Sequence, residues 1–290
     1  MNTSVQLKAR IRELSRKTGV EAEILLRSFM MERLLERIAV SGYRQNFLLK
    51  GGMLIAAMVG IRTRSTMDMD TTITGQTLTA SKLTVIIEEI LNIPLDDGVR
   101  FSFIGMEEIR EEADYPGYRV SIGAVLDKTR QILKVDITTG DYVTPREIEY
   151  AFTLMFEDRA INIMAYNLET ILAEKFQTIV TRSVANTRMR DFYDIHILTV
   201  NRQFDAAIFI AALKRTFETR GTVKQMENFL DSIERIEKDP IMMNLWQRYG
   251  KNSKYAADVT WATAMAAVKA LADLWTRALA DRPTGMPERQ

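Results

Sequence analysis

Two aspartates one residue apart, Asp68 and Asp70, close a basic and hydroxyl-bearing run, Arg62-Thr63-Arg64-Ser65-Thr66, and a glycine pair, Gly51-Gly52, stands upstream behind Lys50. Carboxylates at i and i+2 project from one side of a strand, where they can share one or two cations. Glycines leading a helix let backbone amides approach an anion, and the helix N-terminus adds favourable partial charge. Ser65 and Thr66 can donate hydroxyls to phosphate, and Lys50, Arg62 and Arg64 can neutralise its charge. Each pattern alone has an ordinary reading, a solvated strand end for Asp-X-Asp and a tight turn for the glycines. Their concentration in one short segment is what suits a nucleoside triphosphate with Mg²⁺. A third carboxylate, Asp136 in Lys134-Val135-Asp136-Ile137-Thr138, stands among apolar neighbours where an unpaired charge is costly to bury, and it is the candidate third metal ligand.

Composition narrows the chemistry further. The 290 residues contain no cysteine and a single histidine, His196. Disulfides, thiolate catalysis, sulfur-bound zinc and histidine-rich metal sites are thereby excluded. A metal here must be held by carboxylates, which suit Mg²⁺ or Mn²⁺ working with substrate phosphates. The formal net charge of +1 neither demands nor excludes a nucleic acid, since a local basic patch decides that. No apolar run is long enough to span a membrane, and the polar, charged start lacks a signal-peptide core, so a cytoplasmic location is expected.

The elements that must position these residues follow from periodicity. Helical spacing over about Ser4 to Lys17 and Glu21 to Ser41, broken at Gly19, predicts a helical hairpin. A short buried strand over Asn46 to Leu49 feeds the glycine turn, and a helix from about Met53 to Val59 follows. Alternation from Met67 to Ile73 predicts a strand with Asp68 and Asp70 on one face. A helix from about Ser81 to Leu91, capped by Ser81 or Thr79, precedes three β-like segments near Val99 to Ile109, Tyr118 to Leu126 and Gln131 to Ile137. Ile163 to Tyr166 reads as one more strand. Beyond it, helices are predicted from Leu168 to Thr181, Arg190 to Val200, Phe204 to Thr219, Val223 to Ile236, Ile241 to Tyr249 and Thr260 to Ala280. The fold class is α+β: a mixed sheet with flanking helices over residues 1–166, then an all-helical region over 167–290 that is expected to complete the active-site cleft.

At this point the chain resembles the nucleotidyltransferases of the AbiEii/AbiGii toxin family, relatives of the polymerase β-like superfamily and of the MenT toxins. The resemblance rests on Phe47-Leu48-Leu49-Lys50-Gly51-Gly52, Arg64-Ser65-Thr66-Met67-Asp68-Met69-Asp70, Asn167-Leu168-Glu169-Thr170-Ile171-Leu172-Ala173-Glu174-Lys175-Phe176 and Arg190-Asp191-Phe192-Tyr193-Asp194-Ile195, in that order. It implies that Gly51, Gly52, Ser65 and Thr66 bind the triphosphate, with Lys50, Arg64 and Arg190 as further nucleotide contacts. It also implies that Asp68 and Asp70 hold metal ions, that Lys175 contacts nucleotide phosphates and that Asp194 completes the catalytic set. The superfamily usually shows glycine then serine where this chain has Gly51-Gly52, and Arg190 stands one residue farther from its acid than the motif's usual spacing. Without the resemblance, Lys175 reads as a solvated helix residue, and Arg190 with Asp194 as an ordinary i,i+4 pair.

The expected reaction is transfer of a nucleoside monophosphate from a nucleoside triphosphate to an acceptor hydroxyl, with release of pyrophosphate. By resemblance the acceptor is a tRNA 3′ end or another RNA, and the protein is the toxin of a toxin–antitoxin or abortive-infection system with a cognate antitoxin. Basic residues Lys214, Arg215, Arg220, Lys224, Arg248, Lys251 and Lys254, with Trp246 and Tyr249 nearby, form the candidate RNA footprint. The alternatives are nucleotidylation of a protein or small molecule, and a nucleotide-binding module without turnover.

Overall fold

The computed structural model describes residues 3–75, 79–109 and 117–280. The chain divides into two compact units, Met1–Asn167 and Leu168–Gln290. The expected α+β class, a mixed sheet with flanking helices and a helical C-terminal region, is the class observed.

The first unit opens on α1 (Ser4–Thr18) and α2 (Ala22–Val40). Thr3 caps α1 by accepting from the Gln6 N–H, and Gly19 ends it at φ +73°, its N–H donating to the Ser15 carbonyl. There follow β1 (Phe47–Lys50), α3 (Gly51–Val59), β2 (Met69–Ile73), α4 (Ala80–Leu91), β3 (Val99–Ile109), β4 (Gly117–Leu126), β5 (Thr129–Thr139), β6 (Ile148–Thr153) and β7 (Ala160–Ala165). Thr79 supplies the cap of α4. The strands form one seven-stranded sheet in the order β3-β4-β5-β2-β1-β7-β6. Its pairs are antiparallel except β1 with β7 and β2 with β5.

Two boundaries move relative to expectation. Asp68 lies in the bend before β2 rather than within the strand, so only Asp70 of the acidic pair is fixed by the pleat. Gly51 and Gly52 form the first turn of α3 instead of preceding it. Strand β6 is an addition that periodicity does not predict. One face of β4 and β5 is built from Val120, Ile122, Ala124, Leu133, Val135 and Ile137, all buried. Their alternation is the period-two pattern that makes these segments legible as strands.

The second unit is helical: α5 (Leu168–Arg182), α6 (Met189–Asn201), α7 (Ala206–Thr219), α8 (Val223–Glu227), α9 (Phe229–Lys238), α10 (Pro240–Asn252) and α11 (Trp261–Ala280). The single helix expected over Val223 to Ile236 is interrupted at Asn228, giving α8 and α9. Asp205 and Asp239 cap α7 and α10 through their carboxylates, and Pro240 occupies the first position of α10, where no N–H is needed. Phe176, Phe192, Phe209, Phe217 and Trp275 fill the core. Trp246, a candidate stacking aromatic by sequence, is buried beside Tyr249 and Trp261 and donates its indole N–H to the Val259 carbonyl, so packing rather than solvent claims its ring.

Candidate active site

Strand register assembles the charged residues of the first unit into a row. Lys50 on β1 is opposite Asp70 on β2, Asp70 is opposite Asp136 on β5, Asp136 is opposite Arg119 on β4, and Arg119 is opposite Glu107 on β3. Residues directly opposite one another share a sheet face, so five strands contribute one charge each to a single line across it.

Asp70 sits at the N-terminus of α3. The Gly52 N–H approaches its Oδ2 at 3.4 Å, placing the positive end of the helix on the carboxylate. This approach explains the glycine pair. A Cβ on Gly51 would lie 2.0 Å from Asp70 Oδ2, and Gly51 is at φ +66°, a conformation that side chains disfavour. A Cβ on Gly52 would lie 2.8 Å from Thr66 Oγ1 and 3.3 Å from an Arg64 guanidinium nitrogen. Both glycines therefore make room for neighbouring site residues. Thr66 Oγ1 also closes a turn by bonding the Asp68 backbone. Arg64 is buried and donates to the Ser65 carbonyl, whereas Ser65, Thr66 and Asp68 are partly exposed.

Burial raises the pKa of Asp70, and the negative charges of Asp136 and Asp68 add to that effect. Lys50 and the Gly52 N–H act in the opposite direction without cancelling it. Crowded carboxylates of this kind favour a cation, and their hard oxygens suit Mg²⁺, with phosphate oxygens and water filling the remaining positions. Asp68 and Asp70 thus fit a divalent ion as a pair. Asp136 is engaged otherwise. Arg119 grips it through two parallel hydrogen bonds of 2.8 and 2.7 Å, and that partner raises the guanidinium pKa in turn. Among the described residues, no three His, Cys, Asp or Glu side chains gather closely enough to hold a metal.

Lys50 is held from the next turn of the pleat. Its ammonium donates to Thr138 Oγ1 at 2.8 Å and to Asp141 Oδ2 at 2.6 Å, and lies 5.5 Å from the centre of the Tyr166 ring. Thr72 joins the same network through Thr138, Asp141 and the Tyr166 hydroxyl. Sequence reasoning missed Arg119, Thr72, Thr138, Asp141 and Tyr166, because they converge through strand order rather than through a local pattern.

In the second unit, Lys175 on α5 bridges Asp191 and Asp194 on α6, at 2.8 Å from each. Asp194 is fully buried. Burial by itself would lower the Lys175 pKa, but the two carboxylates more than offset it and hold the ammonium above its ordinary value. Asp191 was also missed, although its i, i+3 spacing from Asp194 puts both on one helix face. Arg190 is exposed on α6.

The family described as nucleotidyl transferase AbiEii toxin, type IV TA system, matches residues 33–277. No curated protein matches the sequence. Among solved structures, a candidate nucleotidyltransferase from H. pylori is similar at 16% identity and a TM-score of 0.49, covering 88% of this chain and 99% of its own. JHP933 from Helicobacter pylori is similar at 16% identity and a TM-score of 0.47, covering 90% and 98%. An antigenic nucleotidyltransferase-like protein from Paracoccidioides brasiliensis is similar at 16% identity and a TM-score of 0.36, covering 79% and 94%.

Proposed function

The chain belongs to the AbiEii nucleotidyl transferase toxin family of type IV toxin–antitoxin systems, and from that premise we propose that it transfers a nucleoside monophosphate from a nucleoside triphosphate to a hydroxyl of RNA, with a tRNA 3′ end as the acceptor we favour. The observation that carries the reading is the seating of Asp70 against the N-terminus of α3, with Asp68 and Asp136 close enough to raise its pKa.

In this scheme Gly51 and Gly52 keep the α3 amides open to a triphosphate oxygen, and Ser65 and Thr66 donate hydroxyls to it. Lys50 and Arg64 balance its charge. Asp68 and Asp70 hold Mg²⁺ or Mn²⁺, and Asp136 is the third candidate ligand, held in place by its two hydrogen bonds from Arg119. When bound, the cation supplies charge neutralisation at the reacting phosphate. Lys175 serves the nucleotide phosphates, with its ammonium oriented by Asp191 and Asp194, and Arg190 adds an exposed cation on α6. Catalysis is then mostly positioning and electrostatics. Family membership implies a cognate antitoxin, no helix of the described residues is long and apolar enough to cross a membrane, and we place the reaction in the cytoplasm.

The test is incubation with triphosphates labelled at the α-phosphate, Mg²⁺, and total RNA or total protein. Label should enter RNA with release of pyrophosphate, and Asp68→Asn or Asp70→Asn should abolish it while leaving the circular-dichroism spectrum unchanged. Full transfer by either variant overturns the carboxylate assignment, and label entering protein instead of RNA overturns the acceptor.

A further inference from the structure

The face of the sheet that carries Asp70 continues beyond the charged row. On β4 and β5 its opposite side is the buried core, but this side is open: Arg100, Ser102 and Ile104 on β3 and Arg130, Ile132 and Lys134 on β5 are all exposed. Register draws them into one tract. Arg100 is opposite Val125, which is opposite Arg130; Ser102 is opposite Gly123, which is opposite Ile132; Ser121 is opposite Lys134. Gly123 forms a low point in the floor, where an added Cβ would meet Ser102 Oγ at 2.7 Å and Ile104 Cδ1 at 3.5 Å.

The row at the candidate active site mixes both signs, Glu107, Asp136 and Asp70 with Arg119 and Lys50, whereas the charges on the tract leading away from it, Arg100, Arg130 and Lys134, are all positive. None of these three cations forms an ion pair or a side-chain hydrogen bond with a described residue. The candidate footprint in the helical region is less available. Lys214 and Arg215 lie 3.8 and 4.0 Å from Glu218, Arg220 lies 3.3 Å from Glu174, and Trp246 is buried.

We propose that the open face of β3, β4 and β5 seats the RNA acceptor, with Arg100, Arg130 and Lys134 on its phosphates and its terminal hydroxyl directed toward Asp70 and Asp136. This rests on the nucleotidyl-transfer reading and names where that reaction's acceptor binds. Lys134 lies about 7 Å along β5 from Asp136 and Arg130 about 20 Å, at roughly 3.3 Å per residue, a run that accommodates several nucleotides. The Ser102 and Ser121 hydroxyls suit ribose 2′-hydroxyls, which DNA lacks. Ile104 and Ile132, at 55% and 58% exposure, offer apolar surface to sugar and base faces.

The test is fluorescence anisotropy of labelled unfractionated tRNA with the full chain across a salt series. The variant Arg100→Gln/Arg130→Gln/Lys134→Gln should weaken binding at least about tenfold and lower the salt slope by about 2 to 3, one increment of roughly 0.7 to 0.9 for each phosphate left without its cation. Lys134→Gln alone should lower the slope by about one, which preserves the test if the triple variant does not fold. Unchanged affinity and slope overturn the proposal. So does a loss confined to Lys224→Gln/Arg248→Gln/Lys251→Gln, and so does a DNA stem-loop of tRNA length binding as tightly as the tRNA. RNA labelling by wild-type protein with unaltered binding by the triple variant removes this inference alone. Weakened binding by the variant, with no RNA labelling by wild type, keeps the RNA seat and removes the transfer reading.

Discussion

Gly51→Ala tests whether the glycine turn is built around Asp70. The left-handed backbone at φ +66° costs a side chain about 1–2 kcal/mol. The new methyl also meets Asp70 Oδ2 at 2.0 Å, Cγ at 2.7 Å and Cβ at 2.8 Å. Relief of such overpacking by backbone and side-chain shifts typically costs about 1–3 kcal/mol. The sum is about 2–5 kcal/mol, or a fall in melting temperature of roughly 6–12 °C for a mid-range 3 kcal/mol in a unit of this size. A double-mutant cycle separates the two terms. Because Asp70 Cβ is itself in the way, the second substitution must be Asp70→Gly rather than Asp70→Ala. In the Asp70→Gly background only the backbone term of about 1–2 kcal/mol should remain, giving a coupling of about 1–3 kcal/mol. The probe must be far-ultraviolet circular dichroism, because all three tryptophans, Trp246, Trp261 and Trp275, belong to the helical unit. Strict additivity, or a Gly51→Ala protein as stable and as active as wild type, would refute the reasoning. Gly52→Ala, with no positive φ and Thr66 Oγ1 at 2.8 Å, should lose less stability.

Two further predictions concern buried charge. Glu32 on α2 is 5% exposed, and burial pushes its pKa up to about 8 even though it accepts a hydrogen bond from the Met155 N–H. The folded protein then holds this proton more tightly than the unfolded chain, so stability should fall as pH rises from about 4.5 to about 8. Each pKa unit is worth about 1.4 kcal/mol, so the loss is a few kcal/mol. Glu32→Gln should flatten that slope in urea denaturation at pH 5 and 8, and an unchanged slope counts against it. In the helical unit, Lys175→Met removes the ammonium that bridges Asp191 and the fully buried Asp194, at a cost of about 3–5 kcal/mol read by tryptophan fluorescence. Since the folded pKa of Lys175 is raised, its contribution should persist below about 10.5 and be lost as pH climbs beyond, so loss already at neutral pH would contradict the pairing.

Local pattern made most elements legible and left specific gaps. The hairpin of α1 and α2 is announced by Gly19, and β4 and β5 by alternation that their buried face largely reproduces. Strand β6 escaped because it is an edge strand with Phe152 as its one buried side chain, so little hydrophobic signal is written into it. The break at Asn228 escaped because apolar spacing runs through it with no glycine or proline to mark a boundary. In the site, Asp70 and Asp136 could be found from their own strands. Arg119 and Asp141 could not, since their relevance depends on β2 lying between β5 and β1, and no short stretch of sequence encodes that order.

The charged row also explains how such a site survives without substrate. Neighbouring carboxylates at Asp70 and Asp136 on adjacent strands repel, and a half-buried sheet face tolerates this only if each has its own compensation. Asp136 takes a two-point grip from Arg119, and Asp70 takes the charge of Lys50 and the amide end of α3. Lys50 is in turn fixed by Asp141 and Thr138, so its position does not depend on Asp70 alone. The protein therefore supplies part of the balance in its own side chains, although these partners do not cancel the burial that raises the pKa of Asp70. Asp→Asn at either position also removes one negative charge from the row, but it is isosteric and can still accept a hydrogen bond, so a circular-dichroism spectrum recorded beside activity separates lost chemistry from lost fold.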